Sequence, residues 1–388
     1  MAMRMLVILL LVCIAEAQLH GIKNFNVNDY GAIADGNTDN SGAFLKAWSD
    51  ACKWNGKAIL EIPRGTYMLN LIVFSGPCKG WTIFQLQGVL KAPINNPSSE
   101  NTWINFRYIN NLILNGGGLL DGQGPSVWGH KNPHPLLITM GFGFINNSYV
   151  HRISYINSQN AHISMLECRN MTFTDITVTA PKDSPNTDGI KMAKSEGINI
   201  NNVHIGTGDD CIAILSGTKN LTISNVYCGP GHGISVGSIG KNDEDVDVQN
   251  IFVKNCTFNG TSDGLRIKTW ASPLNHTVKV SNIFYEDITI IDVDHPINID
   301  QEYCPSRNCD NKVPSNVQIS NVHYKNIQGS CKGEVAVNFK CSESNPCQNI
   351  TGVNINLWSS LGNKTTLTNY CSHVKGAFYG KQVPPSCV

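Results

Sequence analysis

The sequence has no excess of either charge and little charge in total. Lys and Arg number 29, as do Asp and Glu, so the formal net charge of the 388-residue chain is zero. No overall field therefore attracts nucleic acid or an anionic membrane surface. Long apolar runs are also missing after the N-terminus, so no later segment is expected to span a bilayer. We expect neither nucleic acid nor membrane as a partner, and a charged ligand must be bound by a local cluster of side chains.

The N-terminus has the pattern of a secretory signal peptide. Arg4 precedes an apolar stretch at 5–14 that is too short to cross a bilayer, and Ala15-Glu16-Ala17 has the form of a cleavage site. We therefore expect residues 1–17 to be removed and residues 18–388 to be exported as one soluble domain.

The cysteines and the glycosylation sequons agree with export. Of 14 cysteines, Cys13 lies in the leader, and the odd number that remains predicts disulfides with at least one free thiol. Zinc is a weaker interpretation of the short cysteine spacings, because no C-x-x-C or H-x-x-x-H partner accompanies them. The candidate disulfides are Cys211/Cys228, Cys304/Cys309, Cys341/Cys347 and Cys371/Cys387. The sequons are Asn146, Asn170, Asn220, Asn255, Asn259, Asn275, Asn349 and Asn363.

Helical sequence is scarce, and a repeat takes its place. One amphipathic helix is predicted, with Thr38 or Asp39 as its cap and an apolar stripe from Ala43 to Ala51. After it, a short motif recurs in which an apolar-x-apolar pair is followed by Asn or Asp and then by another apolar residue. From Met171, successive copies start 27, 23, 30, 32 and 34 residues apart, at 171, 198, 221, 251, 283 and 317.

A period of this length indicates stacked structural units. Each unit holds short period-two strands between Gly and Asn turns and has no room for a packed helix, which predicts an all-β parallel solenoid. Leucine-rich repeats are disfavoured, since Val, Ile and Asn dominate where their pattern needs Leu. The predicted helix would then cover the open sheet edge at the N-terminal end of the coil.

A second register in the middle of the chain places one polar residue on each coil. TDGIKM, DDCIAI, GHGISV and SDGLRIK align on an apolar residue, and the first three are 22 residues apart. Equivalent residues of stacked coils lie about 4.8 Å apart, so the aligned polar side chains should form a row on one face, flanked by Asp209. The aligned apolar residues are Ile190, Ile212, Ile234 and Leu265, and two positions before them stand Asp188, Asp210, His232 and Asp263.

The strand period brings two cations to the same face. Leu265 and Ile267 should point inward, so Arg266 and Lys268 should point outward beside the acids. Each Asp-Gly or Gly-His-Gly alone could be no more than a tight turn. Their common register instead favours an active site, where mutually repelling acids and nearby cations are typical.

These groups suit the hydrolysis of a glycosidic bond in an acidic sugar. One carboxylic acid must protonate the leaving oxygen while a carboxylate activates water. Crowding raises the pKa of one acid in such a group, which supplies both protonation states. Carboxylates on adjacent coils could lie about 6.5–9.5 Å apart, the separation that leaves room for water and gives inversion. Arg266 and Lys268 suit a carboxylate on the sugar.

The motifs NTD (186–188), GDD (208–210), GHG (231–233) and RIK (266–268) occur in this order. Together they resemble the signature motifs of the polygalacturonases, which are right-handed parallel β-helix hydrolases of pectin, and the resemblance covers nearly the whole mature chain. The segments around GHG are most similar to plant pollen-type members, which are usually exo-acting. The resemblance implies a single right-handed β-helix catalytic domain at 18–388 with a short N-terminal capping helix. It further implies that the chain is a secreted cell-wall monomer that releases galacturonic acid from polygalacturonan without a cofactor or a metal.

The resemblance also implies a role for each site residue. Asp209 matches the general acid, and His232 matches the imidazole that tunes it. Asp188 and Asp210 match the pair that activates water for inverting attack. The positions that match substrate contacts are Asn186, Arg266, Lys268 and Tyr303.

Three other functions remain open from the sequence. An endo-acting polygalacturonase would carry the same four motifs. A pectate lyase of related architecture would use calcium and an Arg base, which the GDD and GHG motifs disfavour. A non-catalytic solenoid that binds wall polysaccharide is disfavoured by the intact group of acids.

Two further patterns have simpler interpretations. G-x-S-x-G around Ser235 matches the elbow of a serine hydrolase, but that elbow needs a helix after its turn and none is predicted here. NDEDVD at 242–247 lacks the Gly and the distal Glu of an EF-hand loop, so we expect a solvated acidic loop and no calcium.

Overall fold

A computed structural model describes residues 20–95, 98–129, 135–305, 309, 313–362 and 366–388. Within these ranges the chain forms 28 strands, one α-helix (α1, Ser41–Lys53) and two 3₁₀ helices, Val27–Tyr30 and Gly124–Ser126. No helix in this part of the chain is long and apolar enough to cross a bilayer. The predicted signal peptide, residues 1–17, lies outside the described residues.

The strands are short in the first coils and longer in the later ones. They are β1 (His20–Asn26), β2 (Asp35–Asp39), β3 (Gly56–Ile62), β4 (Thr66–Met68), β5 (Ile72–Ser75), β6 (Thr82–Leu86), β7 (Val89–Lys91), β8 (Thr102–Arg107), β9 (Leu112–Asn115), β10 (Leu119–Asp121), β11 (Ile138–Gly143), β12 (Asn146–Ile156), β13 (Ile163–Leu166), β14 (Arg169–Thr179), β15 (Ile190–Ala193), β16 (Glu196–Gly206), β17 (Ile212–Ile214), β18 (Lys219–Cys228), β19 (Ile234–Ile239), β20 (Val248–Asn259), β21 (Asp263–Trp270), β22 (Val278–Val293), β23 (His295–Tyr303), β24 (Val317–Cys331), β25 (Val335–Lys340), β26 (Cys347–Ser359), β27 (Thr368–Ser372) and β28 (Val374–Val383).

The strands form two large parallel sheets. An eleven-stranded sheet runs in the order β5-β8-β11-β13-β15-β17-β19-β21-β23-β25-β27, so each strand pairs with its equivalent on the next coil. The other 17 strands form the second sheet, and from β11 onward the chain alternates between the two. Such a chain winds into a β-helix, with the right hand that parallel crossovers adopt. The solenoid predicted from the repeat is confirmed.

The core fills the inside of the coil with stacked apolar side chains. In the eleven-stranded sheet, Ile190 pairs with Ile212, Ile212 with Ile234, and Ile234 with Leu265, and all four are fully buried. Their neighbours along each strand point out of the sheet. The inward row therefore fixes which polar side chains line the outer face of this sheet.

A row of asparagines marks one corner of the coil. Each has a left-handed φ between 53° and 61°, a conformation that Asn tolerates better than most residues. In four of the five, the side-chain amide donates to the amide oxygen of the preceding member over 2.8–3.1 Å, whereas the first, Asn220, donates to Glu196 Oε1 over 3.0 Å. An amide both donates and accepts, so identical residues can stack without leaving a polar group unpaired. The members of this row are Asn220, Asn250, Asn282, Asn321 and Asn349.

A second row of Asn and Asp at another corner explains one wrong step in the predicted repeat. The sequence motif aligned Ile283 with Val317, 34 residues later, but Ile283 pairs with Val322, 39 residues later, and Val317 pairs with Val278. Asn321 belongs to the first row, whereas its assumed equivalent, Asp287, belongs to the second. Because both rows use the same residue types, the motif fitted either corner.

Helix α1 covers the N-terminal end of the coil, as predicted. Phe44 and Trp48 are buried, and the Trp48 ring lies 5.1 Å from the Phe74 ring of β5. The predicted N-cap was wrong, because the N-cap is Asn40 and not Thr38 or Asp39. The Asp39 carboxylate still accepts the N–H of Ser41 at the start of the helix.

The structure forms all four candidate disulfides and one that was not predicted. The unpredicted bond joins Cys52 at the end of α1 to Cys78, which ties the cap to the coil. Three cysteines remain as buried free thiols, which agrees with the odd number expected after the leader. Five sequon asparagines are exposed, Asn146 and Asn259 are half-buried, and Asn363 lies outside the described residues. The four expected disulfides are Cys211–Cys228, Cys304–Cys309, Cys341–Cys347 and Cys371–Cys387.

Candidate active site

The predicted register places the acids and the imidazole at the N-terminal ends of neighbouring strands in the eleven-stranded sheet. Strands β15, β17, β19 and β21 pair in succession through the aligned apolar residues. The residues two positions earlier therefore lie on four neighbouring coils, in the row that the sequence predicted. Side-chain atoms of Asp209, Asp210 and His232 come within 4.8 Å of one another.

Among Asp188, Asp209 and Asp210, Asp209 has the most exposed side chain. Its side chain is 21% exposed, against 11% for Asp188 and 3% for Asp210. His232 Nδ1 lies 3.1 Å from Asp209 Oδ1, and the backbone N–H of Asp210 donates to the same oxygen over 2.8 Å. Asn186 donates to Asp209 Oδ2 over 3.4 Å, so the predicted Asn186 does reach the acid.

Asp210 is buried and has a strong partner on each oxygen. Lys268 Nζ lies 2.7 Å from Oδ2, and the Ser235 hydroxyl donates to Oδ1 over 2.7 Å. The Lys268 side chain is itself only 8% exposed. A hydrogen bond between an ammonium and a carboxylate is charge-assisted and stronger than a neutral one. Lys268 therefore forms a buried ion pair with Asp210, in addition to any contact that it makes with a ligand.

Asp188 is nearly buried and is weakly paired. Lys191 Nζ approaches its Oδ2 only to 3.7 Å, and its carboxylate has no hydrogen-bond partner in the part of the chain that the structure describes. Burial raises the pKa of Asp188, and the negative charges of Asp209 and Asp210 raise it further against the opposing effect of Lys191 and Lys268. Asp188 is thus the acid of this group that holds a proton most readily.

The pKa of Asp209 moves in the opposite direction. Burial alone would raise it, but the hydrogen bond and the charge of His232 outweigh burial and lower the pKa of Asp209. The same hydrogen bond is the main cause that raises the pKa of His232, against the effect of its burial. Crowding does raise the pKa of one acid, as expected, but that acid is Asp188 and not the residue matched to the general acid. Asp209 and His232 instead form a pair that holds one proton between them.

Arg266, Lys268 and Tyr303 form a second group next to the acids. Arg266 and Lys268 leave β21 on its outer face, while Leu265 and Ile267 are fully buried, as the period-two argument predicted. The Tyr303 ring centre lies 5.4 Å from the Arg266 guanidinium carbon and 5.3 Å from Lys268 Nζ. A ring at this distance attracts a cation by its negative face. All eight predicted site residues therefore belong to one continuous surface.

Ser235 and Asp263 belong to this surface without having been assigned to it. Ser235 is fully buried in β19 and donates to Asp210, so it is a partner of an acid and lies on no strand-to-helix elbow. Asp263 occupies the aligned position of its coil and lies 3.3 Å from Arg266. The same period-two rule that selected Arg266 would also have selected Ser235, because the two residues pair across β19 and β21.

One group of site residues lies close enough together to hold a metal ion. The ligand atoms of Asp209, Asp210 and His232 lie within 4.8 Å of one another, and the Lys268 ammonium already contacts Asp210 Oδ2 over 2.7 Å. In the acidic loop at 242–247, Asp243 and Asp245 accept hydrogen bonds from the backbone N–H groups of Asn275 and Gly240. These two carboxylates therefore stabilise the backbone of nearby loops in the described structure.

A cavity of about 310 Å³ lies on the outer face of the same sheet, on the N-terminal side of the acids. Asn105, Gly141 and Ser164 form part of its lining on three successive strands, β8, β11 and β13. The stacked rings of Tyr108 and Phe144, 4.8 Å apart, lie beside them. The surface that carries the acids therefore continues as a trough along the coil axis.

Comparison with known proteins gives consistent matches over most of the chain. The profile of the family described as Glycosyl hydrolases family 28 matches residues 52–380. An exopolygalacturonase of Platanus acerifolia is 44% identical over 93% of this chain and 96% of its own, and a polygalacturonase of Brassica napus is 40% identical over 94% and 92%. The crystal structure of a hyperthermoactive exopolygalacturonase from Thermotoga maritima superposes with a TM-score of 0.73 at 19% identity, over 86% of this chain and 87% of that one. That last likeness bears on the fold alone.

Proposed function

The chain belongs to glycosyl hydrolases family 28, and we propose that it hydrolyses the α-1,4-galacturonosidic bonds of polygalacturonan with inversion, removing galacturonic acid from chain ends. The observation that carries this proposal is the meeting of Asp188, Asp209 and Asp210 with His232 on neighbouring coils. Relatives named polygalacturonase and exopolygalacturonase at 40–44% identity support the substrate and the exo mode.

Asp209 is the proton donor in this proposal. It is the most exposed of the three acids, so a glycosidic oxygen can approach it. The proton that it shares with His232 is available for transfer as negative charge develops on the leaving oxygen. After bond cleavage the leaving sugar carries that proton as a hydroxyl group.

Asp188 accepts the proton of the attacking water. Both oxygens of Asp210 are occupied by Lys268 and Ser235, whereas the Asp188 carboxylate has only the distant Lys191. The raised pKa of Asp188 makes it the stronger base once it is ionised. Asp210 therefore orients the water, and Asp188 takes its proton.

Arg266 and Lys268 bind the carboxylate of the sugar, with the Tyr303 ring beside both cations. Charge-assisted hydrogen bonds from such cations are stronger than neutral ones and select an acidic sugar over a neutral one. Asn186, which contacts Asp209, lines the same subsite. The enzyme acts through these side chains alone, as a monomer, with no cofactor and no metal.

A product time course on polygalacturonate tests this function. Galacturonic acid alone from the earliest time point supports exo action, whereas a spread of oligomers means endo action. Products that absorb in the ultraviolet, or activity lost on chelation, would indicate a calcium-dependent lyase. Binding without release of reducing ends would indicate a polysaccharide-binding solenoid.

Asp209→Asn is the matched test of the acid assignment. The amide keeps the shape of the side chain but carries no transferable proton, so turnover should fall by about 10²–10⁴-fold. Thermal unfolding should stay close to that of the wild type, because Asp209 is partly exposed. A variant with near-normal rates would refute the acid role.

Export to the cell wall is part of the proposal. The leader pattern at 1–17 and the five disulfides support an oxidising, extracellular location. N-terminal sequencing of the protein from the medium of expressing cells should begin at Gln18. An unprocessed protein that remains in the cell would contradict this localisation.

A further inference from the structure

Asp263 is the third acid in the row, after Asp188 and Asp210, and the proposed mechanism gives it no step. It stands on the coil after His232, at the position that Asp188 and Asp210 occupy on theirs. Only 6% of the residue is exposed. A buried carboxylate is unfavourable unless it has compensating partners, so its contacts indicate its role.

Those contacts lead to the carboxylate-binding group and not to the reacting acids. Asp263 Oδ2 lies 3.3 Å from Arg266 Nη1 and accepts the hydroxyl of Ser262 over 3.0 Å. Its Oδ1 accepts the amide of Asn298 over 2.8 Å, and Asn298 in turn accepts the amide of Asn338. The carboxylate is therefore held firmly against one side of the guanidinium.

Arg266 has a hydrogen-bond donor that Asp263 does not use. Its Nε is buried and has no hydrogen-bond partner among the described residues, and its face lies against the Tyr303 ring. A sugar carboxylate that binds Arg266 therefore meets a cation whose charge Asp263 already offsets. Lys268 is offset in the same way by Asp210. The two cations and their two acids together carry no net charge.

We infer that Asp263 is a specificity-determining residue that limits how strongly the Arg266 subsite prefers a free sugar carboxylate to its methyl ester. The inference rests on the proposed function. A carboxylate near Arg266 is attracted by the guanidinium and repelled by Asp263, whereas an uncharged ester feels little of either. Asp263 therefore narrows the difference in affinity between acidic and esterified galacturonan, and lets the enzyme accept partly esterified chains.

The test compares Asp263→Asn with the wild type on two substrates, fully de-esterified and partly methyl-esterified polygalacturonate. The quantity measured is the ratio of the two kcat/KM values. A loss of Arg266 orientation would weaken mainly the de-esterified substrate and lower this ratio, whereas the removal of one negative charge raises it, so the two effects have opposite signs. We expect the ratio to rise by about fivefold or more in favour of the de-esterified substrate.

Glu61→Gln is the matched charge control. Glu61 lies on β3 in the other sheet, so its replacement removes the same unit of charge far from the site and should leave the ratio unchanged. A ratio that is unchanged or lower in Asp263→Asn overturns the inference, while the wild type still releases galacturonic acid. No release from any galacturonan by the wild type overturns the proposed function and this inference with it.

A double variant covers the case in which Asp263→Asn does not fold. Asp263→Asn/Arg266→Gln removes both charges and leaves no buried ion unpaired. It should show a higher ratio than Arg266→Gln alone, which leaves the Asp263 charge facing the substrate. Equal ratios in these two variants would overturn the inference.

Discussion

Replacing Lys268 by Met tests whether its ion pair supports both the fold and the reaction. Lys268 Nζ lies 2.7 Å from Asp210 Oδ2, and the two side chains are 8% and 3% exposed. Methionine keeps an unbranched chain but leaves the Asp210 carboxylate buried without a counter-charge. Removing one partner of a buried ion pair costs about 3–5 kcal/mol, so the free energy of unfolding at neutral pH should fall by that amount. If Lys268 served only to bind substrate, stability would not change.

The double variant Asp210→Asn/Lys268→Met is the control, because it removes both charges. It should recover most of the lost stability, since no unpaired charge remains buried, yet it should stay inactive, since Asp210 orients the water in the proposed mechanism. The assay is urea unfolding followed by circular dichroism, together with initial rates on polygalacturonate. A single variant as stable as the wild type, or a double variant no more stable than the single, would refute the reasoning.

Two further predictions concern pH and the asparagine row. Activity should follow a bell-shaped pH profile, because the proposed mechanism needs Asp188 ionised and the Asp209–His232 pair protonated. The pKa of Asp188 is raised, so activity should fall on acidification at a pH above the usual carboxylate pKa. The pKa of His232 is also raised, so the alkaline limb should lie above the usual histidine pKa. An acid limb at an ordinary carboxylate pKa would contradict this assignment. Asn282→Ala removes a donor to Asn250 and an acceptor for Asn321, so urea unfolding should show a loss of about 1–3 kcal/mol, and an unchanged free energy would mean that the row adds no stability.

The coil and the row of site residues could be predicted from the sequence because a parallel solenoid has a simple rule. One buried apolar residue per strand fixes which positions stack, and Ile190, Ile212 and Ile234 carry that signal plainly. The rule failed where two corners used the same residue type, as with Asn321 and Asp287. Periodicity identifies a repeat but does not distinguish two equivalent corners of the same coil.

The partners of the acids could not be predicted in this way. Lys268 reaches Asp210 across 58 residues of chain, from a strand two coils away. A repeat pattern places each backbone position in a row, but the length and direction of a lysine side chain decide which acid it meets. The pKa order of Asp188 and Asp209 depends on such contacts, so the crowding argument predicted that one pKa is raised without identifying the acid.

The acids tolerate one another because each takes its counter-charge from a different place along the coil axis. Asp188 has a lysine on its own coil at 3.7 Å, Asp209 has an imidazole one coil further at 3.1 Å, and Asp210 has a buried ammonium two coils further at 2.7 Å. The three partners differ in distance, burial and ability to give up a proton. Carboxylates of one residue type therefore meet three different environments: one is nearly buried and weakly paired, one is hydrogen-bonded to an imidazole, and one is held by an ammonium and a hydroxyl. A hydrolase that divides acid, base and water-orienting roles among aspartates needs this difference, and the stacking of coils supplies it.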